Sequence, residues 1–183
     1  SINPEVPELV KNYVAPEALS ESLYDFTIDL EGVLYELPCP VSVFLENGFT
    51  INEKDSEMEI ASGDSGWVEF KYNNITYRTL VKNYAEYATI AQNCFVTTIK
   101  TSEFDPKFNL IIPGNIKRGD SEADLLAVIE KFNYEKDESG DFIYYTVYDP
   151  DTSKLDAYDI TVTEGKVHSI EVQNAPKMSK MNQ

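Results

Sequence analysis

The sequence predicts an α+β fold made of two tandem units, each with an amphipathic helix on an antiparallel sheet. Two segments, residues 24–101 and 107–174, follow the same order of a proline-marked start, a short helix and several strands. Apolar and polar residues alternate in most of the expected strands, with the period of two that half-buried strands show. A hydrophobic content of 42% is sufficient to build a core.

The predicted organisation has four segments. Residues 1–22 are rich in Glu, Pro and Ser, and we expect them to form an N-terminal tether. Residues 23–102 form the first α+β unit and residues 103–174 the second. Residues 175–183 are expected to be a flexible tail.

The first unit is expected to contain two hairpins and a short helix. Its longer predicted strands cover residues 23–30, 33–36, 67–72, 75–81 and 94–100. Pro40 suits the first turn of a helix, and Gly48 is a natural residue to end it. Asn73 and Asn74 form a tight-turn pair, which predicts the second hairpin.

The second unit carries the clearest helix signal, over residues 122–131. Ser121 precedes this helix and Asp124 follows three residues later, a spacing similar to a capping box. The predicted strands of this unit cover residues 108–112, 141–148, 155–163 and 167–173. We expect these strands to form an antiparallel meander that carries the helix.

The charge of the chain excludes two classes of partner. Its 32 acidic and 15 basic side chains leave a net charge of −17, which repels nucleic acids and anionic membrane surfaces. No apolar run reaches the roughly 20 residues that a membrane helix needs. No phosphate-binding, dinucleotide or zinc motif occurs, so we expect no cofactor, no metal and no catalytic residue.

Two cysteines, Cys39 and Cys94, could form a disulfide within the first unit. A cross-link that closes a loop of this length would stabilise the fold by roughly 4 kcal/mol in the chain-entropy model. The alternative is a pair of buried thiols in the core. His168 is the only histidine and lies in the last predicted strand, where we expect a side chain on a sheet face.

Three aromatic side chains are the candidate binding residues. Alternation over residues 142–148 places Tyr144 and Tyr148 on the face opposite Tyr145, and Trp67 begins a strand of the first unit. Exposed Trp and Tyr are typical of protein and sugar contacts. The alternative is that all three cover a second core layer or the junction between the units.

Short motifs in both units resemble a known family. Residues 116–121, the helix after them and residues 162–170 resemble the β-lactamase-inhibitor-protein-like module, also seen in outer-membrane lipoproteins of the SmpA/OmlA type. Residues 34–40 and 44–49 are similar to the N-terminal partner of that module in secreted Gram-positive lipoproteins. The resemblance implies export, a lipid anchor upstream of Ser1, an extracellular position at the cell surface, and a binding role.

The sequence therefore favours a non-enzymatic module that binds a protein partner, which the sequence does not identify. An accessory carbohydrate-binding protein that uses Trp67 and the tyrosines is the first alternative. A small hydrolase with a carboxylate pair is the second, and it would need two carboxyl groups facing each other in a cleft. We expect contact with a membrane only through the upstream anchor.

Overall fold

A computed structural model of the chain describes residues 1–102 and 108–182. The expected start of the second unit, residues 103–107, lies outside the described residues. The strands are β1 (Thr27–Leu30), β2 (Val33–Glu36), β3 (Cys39–Pro40), β4 (Thr50–Ile51), β5 (Glu59–Ile60), β6 (Ser65–Tyr72), β7 (Ile75–Lys82), β8 (Thr89–Ile90), β9 (Phe95–Val96), β10 (Thr98–Ser102), β11 (Leu110–Ile112), β12 (Ile116–Lys117), β13 (Tyr134–Ser139), β14 (Phe142–Val147), β15 (Ala157–Thr163) and β16 (Lys166–Gln173). The helices are α1 (Glu8–Lys11), α2 (Val41–Glu46), α3 (Glu122–Ile129) and α4 (Met178–Met181), with 3₁₀ turns at Glu53–Asp55 and Ala91–Asn93.

The predicted α+β class is wrong, because the protein is a mostly antiparallel β structure. Strands make up 41% of the described residues and helices 16%, and the strands form four sheets. The two longer helices are too small to form a layer over a sheet. The six-residue helix α2 buries Val41 and Phe44, and the eight-residue helix α3 buries Leu125 and Ile129.

The chain forms two compact units whose boundaries differ from the predicted ones. The first unit comprises Ser1–Val14, Leu37–Thr98 and Ala175–Gln183, and the second comprises Ala15–Glu36 and Ile99–Asn174. The hairpin β1–β2, expected in the first unit, belongs to the second because β1 pairs with β11. The predicted strand 94–100 is divided at Thr97 into β9 and β10, which lie in different sheets.

The first unit is built on a five-stranded sheet with the order β3-β9-β7-β6-β4, together with a two-stranded ribbon of β5 and β8. Helix α2 covers part of this sheet through Phe44. The Phe44 ring stacks on Phe70 of β6 with centroids 5.8 Å apart, and Phe49 contacts both rings edge-on. All three rings are buried, so this aromatic cluster is part of the core of the first unit.

The segments expected to be a tether and a tail have specific partners within the first unit. The Asn3 N–H donates to the Ala88 carbonyl at 2.9 Å, and the Thr89 hydroxyl donates to the Asn3 carbonyl at 2.7 Å. The hydroxyl of Tyr84, a buried side chain, donates to the Pro176 carbonyl at 2.7 Å. Buried polar groups need hydrogen-bond partners, and both end segments of the chain supply such partners to the first unit.

The second unit contains two antiparallel sheets. One has the order β12-β11-β1-β2, and the other, which we call the meander sheet, has the order β10-β16-β15-β14-β13. Tyr158 of β15 is fully buried, stacks on Phe26 at 5.6 Å and donates its hydroxyl to the Thr27 carbonyl at 2.9 Å. These contacts join the β1–β2 hairpin to the buried face of the meander sheet.

Several local predictions are confirmed in the second unit. Helix α3 begins after Ser121, whose hydroxyl accepts a hydrogen bond from the Asp124 N–H at 3.1 Å. The strands expected at 141–148, 155–163 and 167–173 are β14, β15 and β16. Strand β13 was not predicted, because its side chains are exposed almost throughout and do not alternate.

Candidate functional site

The outward face of the meander sheet holds the best candidate site. Tyr145 and Val147 of β14 are buried, whereas Tyr144 is 41% exposed. The predicted alternation of this strand is therefore confirmed. Tyr144 presents a large aromatic ring on the face of the sheet that is turned away from its core.

Strand register brings polar side chains from β15 and β16 beside this ring. Tyr144 pairs with Thr161 and Thr146 pairs with Asp159, while Asp159 pairs with Glu171 on the other side. Directly paired side chains on one face lie about 4.5–5.5 Å apart at their Cβ atoms. The result is a groove of about 260 Å³, which we call the acidic groove, lined by Lys100, Tyr144, Thr146, Asp159, Thr161 and Glu171, among others.

The surroundings of Asp159 in the acidic groove are unfavourable for its ionised form. Partial burial raises the pKa of Asp159, the Thr146 hydroxyl that donates to its carboxylate at 3.0 Å lowers it, and the neighbouring Glu171 raises it again. The net effect is a raised pKa, although Lys100 lines the same groove. Like charges on directly paired residues destabilise a sheet, so the groove would gain from an added positive charge.

An aromatic cluster borders the groove toward the β15–β16 turn. The ring of Phe142 lies 6.3 Å from Tyr144 and 5.5 Å from His168, which it meets edge-on. The β15–β16 pairing shifts register after Thr161, so that His168 is the extra residue of a β-bulge. A bulge changes the direction of the side chain it carries.

Tyr148 does not line the acidic groove. Its hydroxyl donates to Glu135 at 3.1 Å, and the Lys154 ammonium lies 5.7 Å from its ring. Lys154 also forms an ion pair with Glu135 at 2.7 Å, and the hydrogen bonds from Lys154 and Tyr148 lower the pKa of Glu135. Tyr148 is thus part of a local network on the edge of the sheet.

Trp67 lies in the first unit, in a separate groove of about 480 Å³. The indole is 44% exposed, and the Arg78 guanidinium lies 5.3 Å from its ring centroid. The backbone N–H of Trp67 donates to the Glu57 carboxylate at 2.6 Å. Lys54 and Asp55 also line this groove, so its charges are balanced.

The predicted disulfide is not formed in the structure, where Cys39 and Cys94 are buried thiols. Cys39 pairs with Val96 in the β3–β9 ladder, which places Cys94 diagonally across from it. Diagonal neighbours are about 7–8 Å apart, beyond the usual Cα separation of a disulfide. Burial raises the pKa of the Cys94 thiol to about 12, so it is protonated at neutral pH.

The sequence pattern alone does not identify Asp159, Glu171 and Lys100 as residues of the site. Strand β15 does carry a signal, since Asp159 and Thr161 are the polar members of an alternating run. That signal shows which face Asp159 occupies, but it does not identify the residue paired with it. Register between β15 and β16 decides that Glu171 is the neighbour.

The remaining observations do not identify a family. Within the described residues, no helix is both long and apolar enough to cross a membrane, and no group of three or more His, Cys, Asp or Glu side chains is placed to hold a metal ion. No family model, curated protein or solved structure matches the chain. The resemblance to β-lactamase-inhibitor-protein-like modules therefore stays a prediction.

Proposed function

We propose that this protein is a non-enzymatic interaction module that binds a basic segment of a protein partner in the acidic groove. The observation that carries this proposal is the pairing of Asp159 with Glu171 beside the exposed ring of Tyr144. A Lys or Arg side chain of the partner would relieve the repulsion between the carboxylates. The same cation would gain a cation–π contact from the Tyr144 ring.

The charge of the whole chain supports the same type of partner. A net charge of −17 attracts basic proteins at long range and increases the rate at which they meet this surface. Since like-charged surfaces repel each other, acidic partners are selected against. We also propose, as the family resemblance implies, that this binding takes place outside the cell at the cell surface.

The arrangement of the carboxylates favours binding over hydrolysis. A glycosidase places its two carboxyl groups on either side of the scissile bond. Asp159 and Glu171 instead project side by side from neighbouring strands, so both would meet the same side of a substrate. The raised pKa of Asp159 alone is therefore an insufficient basis for a hydrolase.

Carbohydrate binding is the second candidate function. Thr146, Thr161 and Ser169 add hydroxyl groups to the carboxylates that line the groove, and Tyr144 adds an aromatic surface. Carboxylates and hydroxyls can pair with sugar hydroxyls, while an aromatic ring can pack against the apolar face of a sugar. A neutral glycan would bind with weak dependence on salt, whereas a basic partner would bind with strong dependence.

The first experiment is cross-linking capture from the native envelope fraction, with the wild-type chain and an Asp159→Asn/Glu171→Gln variant. A matched control, Glu46→Gln/Asp64→Asn, removes the same charge from exposed positions of the first unit. We expect a basic protein to be captured by the wild type and the control and lost by the groove variant. Mass spectrometry of the cross-links would map the contacting Lys or Arg segment.

A direct titration supplements the capture experiment. Addition of Nα-acetyl-arginine amide to the labelled protein should shift the NMR signals of Tyr144, Thr146 and Glu171 in a saturable manner. The groove variant should lose this response. Capture of glycan alone, with no arginine response, would favour the carbohydrate-binding candidate, and equal capture by the groove variant would refute both uses of the groove.

A further inference from the structure

A second cavity of the meander sheet has the opposite charge. It has a volume of about 320 Å³ and lies beside the turn between β15 and β16. Its lining includes Arg118, Gly119, Thr163, Glu164, Lys166 and His168. We propose that this basic cavity binds a tetrahedral oxyanion, the phosphate or sulfate group of a small molecule.

The basic cavity brings positive side chains together in a chain that is strongly acidic as a whole. Only 15 of its residues are Lys or Arg, yet Arg118 and Lys166 line one cavity together with the sole histidine. Both Arg118 and Lys166 are exposed, and neither forms an ion pair with any part of the chain that the structure describes. Their charges are therefore available to an anion from solution.

The backbone around the cavity is held rigidly. The Gly119 N–H donates to the Val167 carbonyl at 2.8 Å, and the Val167 N–H donates to the Asp120 carbonyl at 2.8 Å. One residue further on, Ser121 forms a β-bridge with Lys166. These bonds attach the segment before α3 to the β15–β16 hairpin, so the backbone that carries Arg118 lies beside the backbone that carries Lys166 and His168 before any ligand binds. Such preorganisation lowers the entropic cost of binding.

The donor set suits an oxyanion. An arginine guanidinium presents a planar set of donors that matches two oxygens of a phosphate or sulfate, and a lysine ammonium adds a point charge. His168 is the bulge residue, and its ring meets Phe142 edge-on with the ring centroids 5.5 Å apart. The cavity volume lies at the lower end of the range for small-molecule sites.

Glu164 restricts the class of ligand that the basic cavity would bind. Glu164 lies in the hairpin turn with a φ of 52°. It lines the same cavity as Arg118 but carries the opposite charge. A carboxylate there would repel a polyanion and would accept hydrogen bonds from a hydroxyl group. The cavity therefore favours a phosphate or sulfate monoester that has one charged group and hydroxyl groups on the rest of the molecule.

The basic cavity can be tested separately from the acidic groove. Thr163 lies four residues beyond Asp159 in β15, a separation of about 13 Å at 3.3 Å per residue. Substitutions in one of the two sites therefore leave the charged residues of the other site unchanged. The proposal does not depend on the identity of the protein partner.

The test is an NMR titration of the labelled chain with sodium phosphate, sodium sulfate and glycerol 3-phosphate at constant ionic strength. We expect saturable shifts of the Gly119 and Lys166 amides and of the His168 ring. Arg118→Gln/Lys166→Gln should weaken binding at least tenfold. The control Lys131→Gln/Lys71→Gln removes the same charge from exposed positions and should bind as the wild type does.

The three ligands distinguish the source of the anion. Tighter binding of glycerol 3-phosphate than of phosphate would assign a phosphate ester, and equal binding would assign the free anion. The proposal is overturned if none of the three gives a saturable response, or if the cavity variant binds as well as its control. A spectrum of each variant without ligand confirms that it is folded.

Discussion

Trp67 in the first unit and Tyr144 in the second are both exposed aromatic residues on β-strands, but their surroundings differ. Trp67 is the more exposed, at 44% against 41%. Arg78 already lies over its ring, and Glu57 accepts a hydrogen bond from its backbone. The charge beside Trp67 is therefore compensated within the protein itself.

The charge beside Tyr144 is not compensated in the same way. Asp159 and Glu171 project side by side from neighbouring strands, and partial burial, together with the charge of Glu171, raises the pKa of Asp159. Exposure alone therefore does not identify a binding residue. An exposed aromatic ring beside charges that repel each other is more informative, because the protein bears a cost there that a ligand can remove.

The largest effect on stability should come from truncating a core side chain on the buried face of the meander sheet, behind the acidic groove. Tyr158 precedes Asp159 and points to the buried face, where it stacks on Phe26. Tyr158→Ala should lower the free energy of unfolding by about 3–5 kcal/mol, measured by urea denaturation. Tyr144→Ala removes the same side chain from an exposed position and should cost less than about 1 kcal/mol. Equal losses would show that Tyr144 is also a core residue.

A smaller effect should separate the two aromatic surfaces in binding. Tyr144→Ala should weaken the binding of Nα-acetyl-arginine amide about fivefold, because a cation–π contact contributes about 1 kcal/mol. Trp67→Ala should leave that affinity unchanged, since the Arg78 guanidinium already lies over the Trp67 ring. The measurement is the same NMR titration. A loss of affinity in Trp67→Ala would make the first unit the binding surface.

The pH dependence of stability should show the cost of Asp159. Because its pKa is raised in the folded state, the ionised carboxylate destabilises the fold at neutral pH, and stability is regained as the pH falls through the folded-state pKa. Asp159→Asn should therefore be more stable than the wild type by about 0.5 kcal/mol at pH 7. The difference should disappear below the unfolded value of about 3.9.

Thermal unfolding at several pH values measures this difference. Glu130→Gln removes a carboxylate from an exposed position of the same unit and is the control. It should change stability by less than about 0.5 kcal/mol. If Asp159→Asn were less stable than the wild type at pH 7, its carboxylate would be stabilising, and the argument from repulsion would fail.

The smallest effect should come from reduction. Since Cys39 and Cys94 are thiols, a reducing agent should leave the melting temperature unchanged. Their burial and the high pKa of Cys94 should also prevent labelling of the native protein, whereas urea should expose both to the reagent. A fall of several degrees on reduction would show a disulfide and would give the first unit a covalent support that the second lacks.

Features that depend on a few neighbouring residues could be predicted from the sequence. The Ser121 cap, the outward direction of Tyr144 and the β6–β7 hairpin are examples. At the last of these, Asn73 adopts a φ of 52°, a conformation that Asn tolerates better than most residues. The polar strand β13 was missed because it is held by pairing with β14 and has no buried face of its own.

Features that join distant segments were decided by the tertiary structure. The alternation in β1 predicts a strand but not that its partner is β11, and this pairing places the hairpin in the second unit. The α+β prediction was wrong for a separate reason, because strands far outweigh the short helices. The acidic groove has the same origin. The period of two determines that Asp159 points outward, whereas the register between two strands determines that Glu171 lies beside it. Side-chain direction is a local property of the backbone, but pairing and register depend on burial over the whole sheet.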